Sequence, residues 1–207
     1  LLNRLDKSFR DIENAYLKFN EDLAEGKSLP QGTEWILDNF YLVELIYKDF
    51  KIDLKKEKRI ILNIIETYSL RGYPRVYVLA SKLIFNSSGN ISEETLIEFV
   101  NNFQGEEILT LNEISRFYTV LTLGLMEHIR SIVLGLVEIS RGWEEMDSID
   151  LSMEKNLEEI IENIHTMSPT KVEKLVRKIR EEKHEPQPIL DAIDRRLEYV
   201  HKSIKEI

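Results

Sequence analysis

Apolar residues return every three or four positions through nearly all of this 207-residue chain. No stretch alternates apolar and polar residues as a half-buried strand must. A chain patterned this way can only bury helix stripes against one another. The expected fold is all-α, an irregular multi-helix bundle of about eight helices with no sheet. Helix boundaries follow from local chemistry. The first helix covers residues 1–24 and stops at Gly26, and Thr33 starts a second, "EWILDNFYLVELIYKDF". A third is expected over residues 55–68. Pro74 opens a fourth, at the position where its missing N–H costs nothing, and "NSSGN" ends it with residues that tolerate the left-handed conformation. Ser92 starts the next, to about residue 103. "TLNE", Thr110 to Glu113, is a capping box that opens the longest helix, to about residue 141. Gly124 and Gly135 mark places on it where a neighbouring backbone can approach.

Beyond Gly142 the composition shifts. "SMEKNLEEIIENIHTM" and "SPTKVEKLVRKIREEK" are highly charged amphipathic helices, the second capped by Ser168 with Pro169 behind it. A last helix follows "EPQP". The organisation expected is an apolar helical core over 1–142 with charged amphipathic helices over 143–207 packed on it as one structural unit. Ile160, Ile164, Leu175 and Ile179 are the docking residues.

A net charge of −9 argues against nucleic acid as the main partner, since neutralising phosphates needs a basic face. It has no cysteine, which excludes disulfides and thiolate metal sites. The apolar run from Phe117 to Val137 is long enough to span a membrane. Glu127, His128 and Arg130 at its centre make that expensive, so it reads as a buried core helix. Lys171, Lys174 and Lys178 line one face of the helix after Ser168. Such a face can rest on anionic lipid, but the simpler reading is solvation.

Catalytic signatures are missing: no glycine-rich phosphate loop, no G-x-S-x-G and no H-E-x-x-H. His128, His165, His184 and His201 are not spaced as ligands, so no metal site is expected; His128 reads as a core-edge histidine. Glu44 and Glu127 could be imagined as a glycosidase's two carboxylates, but nothing sets their separation. The informative pair is "GTEWILDNFYLVE" with "GYPRVYVLA". Ile36, Phe40, Val43 and Tyr47 form one stripe of the second helix, and Trp35, Asp38, Asn39 and Leu42 another. A helix apolar on nearly every side is buried, so Asp38 and Asn39 need partners, and Arg75 is the candidate for Asp38. The cluster Trp35, Asp38, Asn39, Tyr73, Arg75 and Tyr77 then has two readings. One is a structural ion pair with tyrosines excluding water. The other is a sugar pocket with aromatic platforms and convergent polar groups. The structural tie is the favoured one.

"EWILDNFYLVE", "GYPRVYVLA", "LTLNEISRFYTVLTLGLMEHIRSI" and "ILDAIDRRLEYV" together resemble, in the same order, the N-terminal region of cyclic β-1,2-glucan synthases. The resemblance implies a large bacterial inner-membrane glycosyltransferase that polymerises glucose from UDP-glucose and closes the product into a ring. It implies that the catalytic domains and membrane spans lie outside this chain, so no catalytic residue is assigned here. The chain is then expected to be a non-catalytic, soluble N-terminal module at the cytoplasmic face, with no cofactor of its own. Its partners would be the remaining domains of the same polypeptide and β-1,2-glucan, with no nucleic acid and no membrane span. Alternatives of another class are a free-standing helical carbohydrate-active enzyme and a helical protein-interaction adaptor.

Overall fold

A computed structural model describes residues 2–56, 72–106 and 108–199. The described residues form eight α-helices and no strand. They are α1 (Leu2–Ala24), α2 (Thr33–Lys56), α3 (Arg75–Ser87), α4 (Glu93–Glu106), α5 (Leu111–Asp147), α6 (Glu154–Asn163), α7 (Pro169–Glu182) and α8 (Gln187–Tyr199). A short 3₁₀ turn, Ile164–Thr166, follows α6. The helix expected over 55–68 lies almost wholly outside the described residues. Contacts divide the chain into two compact units, Leu1–Leu134 and Gly135–Ile207, so the division falls inside α5.

In the first unit, α1 and α2 form an antiparallel pair zipped by aromatic rings. Leu5, Ile12, Ala15 and Phe19 recur at helical spacing on the buried face of α1. From α2, Ile36, Val43 and Phe50 are buried at seven-residue intervals. Between them Phe9 stacks on Tyr47 at 3.9 Å and Tyr16 on Phe40 at 4.1 Å. Each such pair adds roughly 0.5–1.5 kcal/mol beyond the area it buries.

The rest of α2 corrects the expectation of a helix buried all round. Trp35, Tyr41 and Leu45 are 51%, 63% and 55% exposed, because α1 covers only the Ile36–Phe40–Val43–Tyr47 face.

α3 does bury its apolar run, with Val76 to Ala80, Leu83 and Ile84 all inside. Pro74 sits one position earlier than expected, as the N-cap of this helix. Its carbonyl accepts from the N–H groups of Tyr77 and Val78. Ser88 and Gly89 end the helix at φ 52° and 80°, as the left-handed stop requires. Gly89 lies against the half-buried His128 ring, which an added Cβ would meet at 3.1 Å.

α5 buries Val120, Leu123, Met126 and Val133 but leaves Leu111, Tyr118 and Ile132 exposed. The expected core helix is therefore covered on one side only. It is long and apolar enough to cross a membrane. Its central charges are nevertheless tied to α1, Glu127 to Arg4 and Arg130 to Asp11. At Gly124 an added Cβ would lie 2.6 Å from Ile84 Cδ1, a close approach by a side chain and not a backbone. Gly135 meets nothing, so no approach explains it.

The second unit has its own apolar core. Ile160 and Ile164, Leu175 and Ile179, Leu190, Ile193 and Leu197, with Met146 from the end of α5, are buried together. Ser168 caps α7 by accepting from the Lys171 N–H.

Candidate functional site

The turn before α3 sets the geometry of the polar groups there. Gly72, at φ 87°, adopts a conformation that glycine takes at no steric cost, and Pro74 holds the chain extended before the helix. Arg75 therefore projects from the first turn of α3. Its partner is Glu113 of α5, not Asp38. Nε donates to Oε1 at 2.9 Å and Nη2 to Oε2 at 2.7 Å, a two-pronged pair that lysine could not make. Nη2 also donates to the Ile108 carbonyl at 3.0 Å.

Glu113 is the acidic member of the capping box. Its Oε2 accepts from the Thr110 N–H and hydroxyl, both at 2.9 Å, and its own N–H returns to Thr110 Oγ1. The carboxylate is fully buried. The Arg75 guanidinium and the Thr110 donors together outweigh its desolvation and hold its pKa down to about 2.

Asp38 is exposed and no hydrogen bond or ion pair joins it to Arg75. The physical reason is the one-sided cover of α2: an exposed carboxylate is solvated by water and needs no buried cation.

A second polar cluster lies between α1, α3 and α5. Tyr77 donates from its hydroxyl to Glu127 Oε2 at 2.5 Å. Arg4 donates through Nε to Glu127 Oε1 at 2.6 Å and through Nη2 to the Tyr77 oxygen at 2.7 Å. Burial, then the adjoining carboxylate, push the Tyr77 phenol upward, so it stays a neutral donor. Tyr73 and Tyr77 stack at 5.7 Å, and the Arg4 guanidinium lies over both rings.

The six residues singled out from sequence thus separate. Arg75 goes to Glu113, while Tyr73 and Tyr77 join Arg4 in the cluster at Glu127. Trp35, Asp38 and Asn39 stay on the exposed side of α2, where the Asn39 amide donates to the Trp35 carbonyl. Among the described residues no ring contact or hydrogen bond links the two sets. Glu44 is likewise spent on a surface pair with Lys48, whereas Glu127 is locked by Arg4 and Tyr77.

The α7 lysines are engaged within the second unit. Lys171 pairs with Glu145, and Lys174 pairs with Asp147 above the Trp143 ring. Lys178 is buried, its Nζ donating to the carbonyls of Met146, Asp147 and Ile149. The carbonyls of Met146 and Asp147 at the end of α5, and of Ile149 just after it, take the place of water around that ammonium.

A groove of about 480 Å³ lies between α6 and the segment after α5. In its lining Asp150 accepts from the Ser152 hydroxyl and the Asn163 amide donates to the Glu159 carbonyl. Among the described residues no group of three or more His, Asp or Glu converges as a metal site.

Sequence reading missed Glu113 as a tertiary partner, and it missed Arg4 and Asp11 altogether. The capping box was a signal for Glu113, since one such carboxylate leaves lone pairs to spare. Arg4 and Asp11 carry no local signal.

The chain is similar to the cyclic β-(1,2)-glucan synthase NdvB of Rhizobium meliloti (strain 1021), at 27% identity over 135 residues. That covers 64% of this chain and 5% of the relative, so the chain spans a small fraction of that protein's length. No protein-family description matches it, and no solved structure does.

Proposed function

We propose that this chain is a non-catalytic helical module of a longer polypeptide of the cyclic β-1,2-glucan synthase type, at the cytoplasmic face of the inner membrane. UDP-glucose would be consumed elsewhere in that polypeptide, and this module would pack on the remainder. The carrying observation is the match itself, which covers 64% of this chain yet only 5% of the synthase. The site chemistry supports it. The inward carboxylates of the first unit are each held by a cation: Glu113 by Arg75 and the Thr110 hydroxyl, Glu127 by Arg4 and the Tyr77 hydroxyl, and Asp22 by Lys18 and Lys27. A general acid or base must be free to exchange its proton with a substrate.

Purified chain incubated with UDP-glucose, or with linear β-1,2-glucan, is expected to give no turnover. Turnover that disappears in a Glu127→Gln variant would sink the proposal.

A second reading, glucan contact, is favoured by Tyr73, a residue 40% exposed beside Arg4. Calorimetric titration with linear β-1,2-glucan tests it. Heat that Tyr73→Ala abolishes would support it, and no heat would discard it.

A further inference from the structure

α1 covers one side of α2, and the opposite side carries a regular seam. Trp35, Asp38, Leu42, Leu45, Asp49 and Ile52 follow one another at steps of three and four. That is the spacing with which one helix packs along another at a shallow angle. The four apolar members are between 38% and 55% exposed, and both aspartates are exposed as well. Tyr41 and Ile46 widen the seam on its two flanks.

The aspartates limit what can cover this side. Among the described residues neither Asp38 nor Asp49 has a hydrogen-bond or ion-pair partner. Lys48 and Lys51 nearby are already spent, on Glu44 and Asp6. A wholly apolar helix docked here would strip water from both carboxylates and return nothing, which disfavours it. A second copy of α2 would bring acid against acid. Antiparallel packing sets Asp38 opposite Asp49, and parallel packing sets each opposite itself. An anionic lipid surface is repelled in the same way, and Glu34 adds to that sign.

We propose that this side of α2 docks a basic amphipathic helix from outside this chain, whose own seam is apolar except for two arginines eleven positions apart. That separation matches the rise from Asp38 to Asp49, about 16 Å. Asp38 and Asp49 are the second and fifth of the six seam positions, so the same partner pattern fits in either direction. Arginine serves better than lysine, because its fork reaches both oxygens of a carboxylate. Trp35 and Tyr41 supply the large rings on which such contacts turn. The inference rests on α2 alone and holds whether or not the chain is part of a synthase.

Fluorescence anisotropy of labelled synthetic peptides, titrated with the full chain, tests it. One capped peptide of about three heptads carries leucine at four seam positions and arginine at the second and fifth. Its counterpart carries glutamate at those two. The arginine peptide should bind at least about tenfold more tightly. Asp38→Lys with Asp49→Lys should reverse that preference. Glu158→Lys with Glu162→Lys on α6 changes the net charge equally and should leave the preference standing. All four positions are exposed, so circular dichroism should show an unchanged fold. Trp35→Ala should weaken the arginine peptide by at least about tenfold. An arginine peptide that does not bind, equal binding of the two, or a preference that survives the Asp38 and Asp49 reversal would each overturn the proposal. So would a preference lost in the α6 variant, which would reduce it to bulk charge. Flotation with phosphatidylglycerol vesicles that Trp35→Ala abolishes would overturn it too, and would assign this side to a membrane.

Discussion

Arg75 starts a helix, where a cation is disfavoured by a few tenths of a kcal/mol. The arrangement persists because that cation meets a carboxylate at another helix's start, where an anion is favoured. Glu113 serves twice there, closing its own capping box and holding Arg75. Replacing Arg75 by alanine strands a fully buried carboxylate and is expected to cost about 3–5 kcal/mol, nearer the lower figure because the arginine retains some exposure. Arg75→Lys keeps the charge but loses the fork, at about 1–2 kcal/mol. The Arg75→Ala, Glu113→Gln double variant should lose clearly less than the sum, and additive losses in urea denaturation would refute the coupling. The same pair predicts a pH dependence. A carboxyl depressed from 4.5 to about 2 stabilises the fold above its unfolded value. About 3 kcal/mol is then lost as pH falls from about 4.5 towards 2. The advantage of wild type over Glu113→Gln should shrink across that window, and an advantage constant from pH 6 to pH 3 would count against it.

At the scale of elements, the caps were legible because they are local. Ser168, "TLNE" and the Ser88–Gly89 stop all act within five residues of where they stand. Partner choice was not legible in the same way. With 37 acidic residues to choose from, spacing could not pick Glu113 over Asp38 for Arg75. Nor could it show that the cover of α2 is one-sided, because an apolar residue reads alike whether a neighbour arrives or not. Lys178 is the clearest case: its lysine-rich face suggested solvent, yet its ammonium donates to the last two carbonyls of α5 and to that of Ile149 beyond it. Lys178→Met is expected to cost about 2 kcal/mol or more, by taking their donor from the Asp147 and Ile149 carbonyls. Lys174→Met, at a pair whose acid is half exposed, should cost under about 1 kcal/mol. Equal losses in thermal denaturation would show that Lys178 is only another surface charge.

For the whole molecule, the all-α class followed from periodicity, since every described segment settles into the helix its stripe demanded. The allocation of stripes to cores did not follow. Ile160, Ile164, Leu175 and Ile179 read as a face for docking on the first unit, but a stripe carries no address. In the structure they close on one another and on Leu190, Ile193 and Leu197. That core includes Met146 from the end of α5, and the Lys178 cap binds the same end, so the second unit holds the part of α5 it needs. A fragment over 135–207 should therefore be helical by circular dichroism and unfold cooperatively, at a lower midpoint than the full chain because small domains bury a smaller share of their surface. Leu175, fully buried at the centre of this core, provides the control. Leu175→Ala removes about 2–5 kcal/mol, enough to unfold a domain of this size outright. A fragment that lacks helical signal with Leu175 intact would mean that the second core forms only on the first.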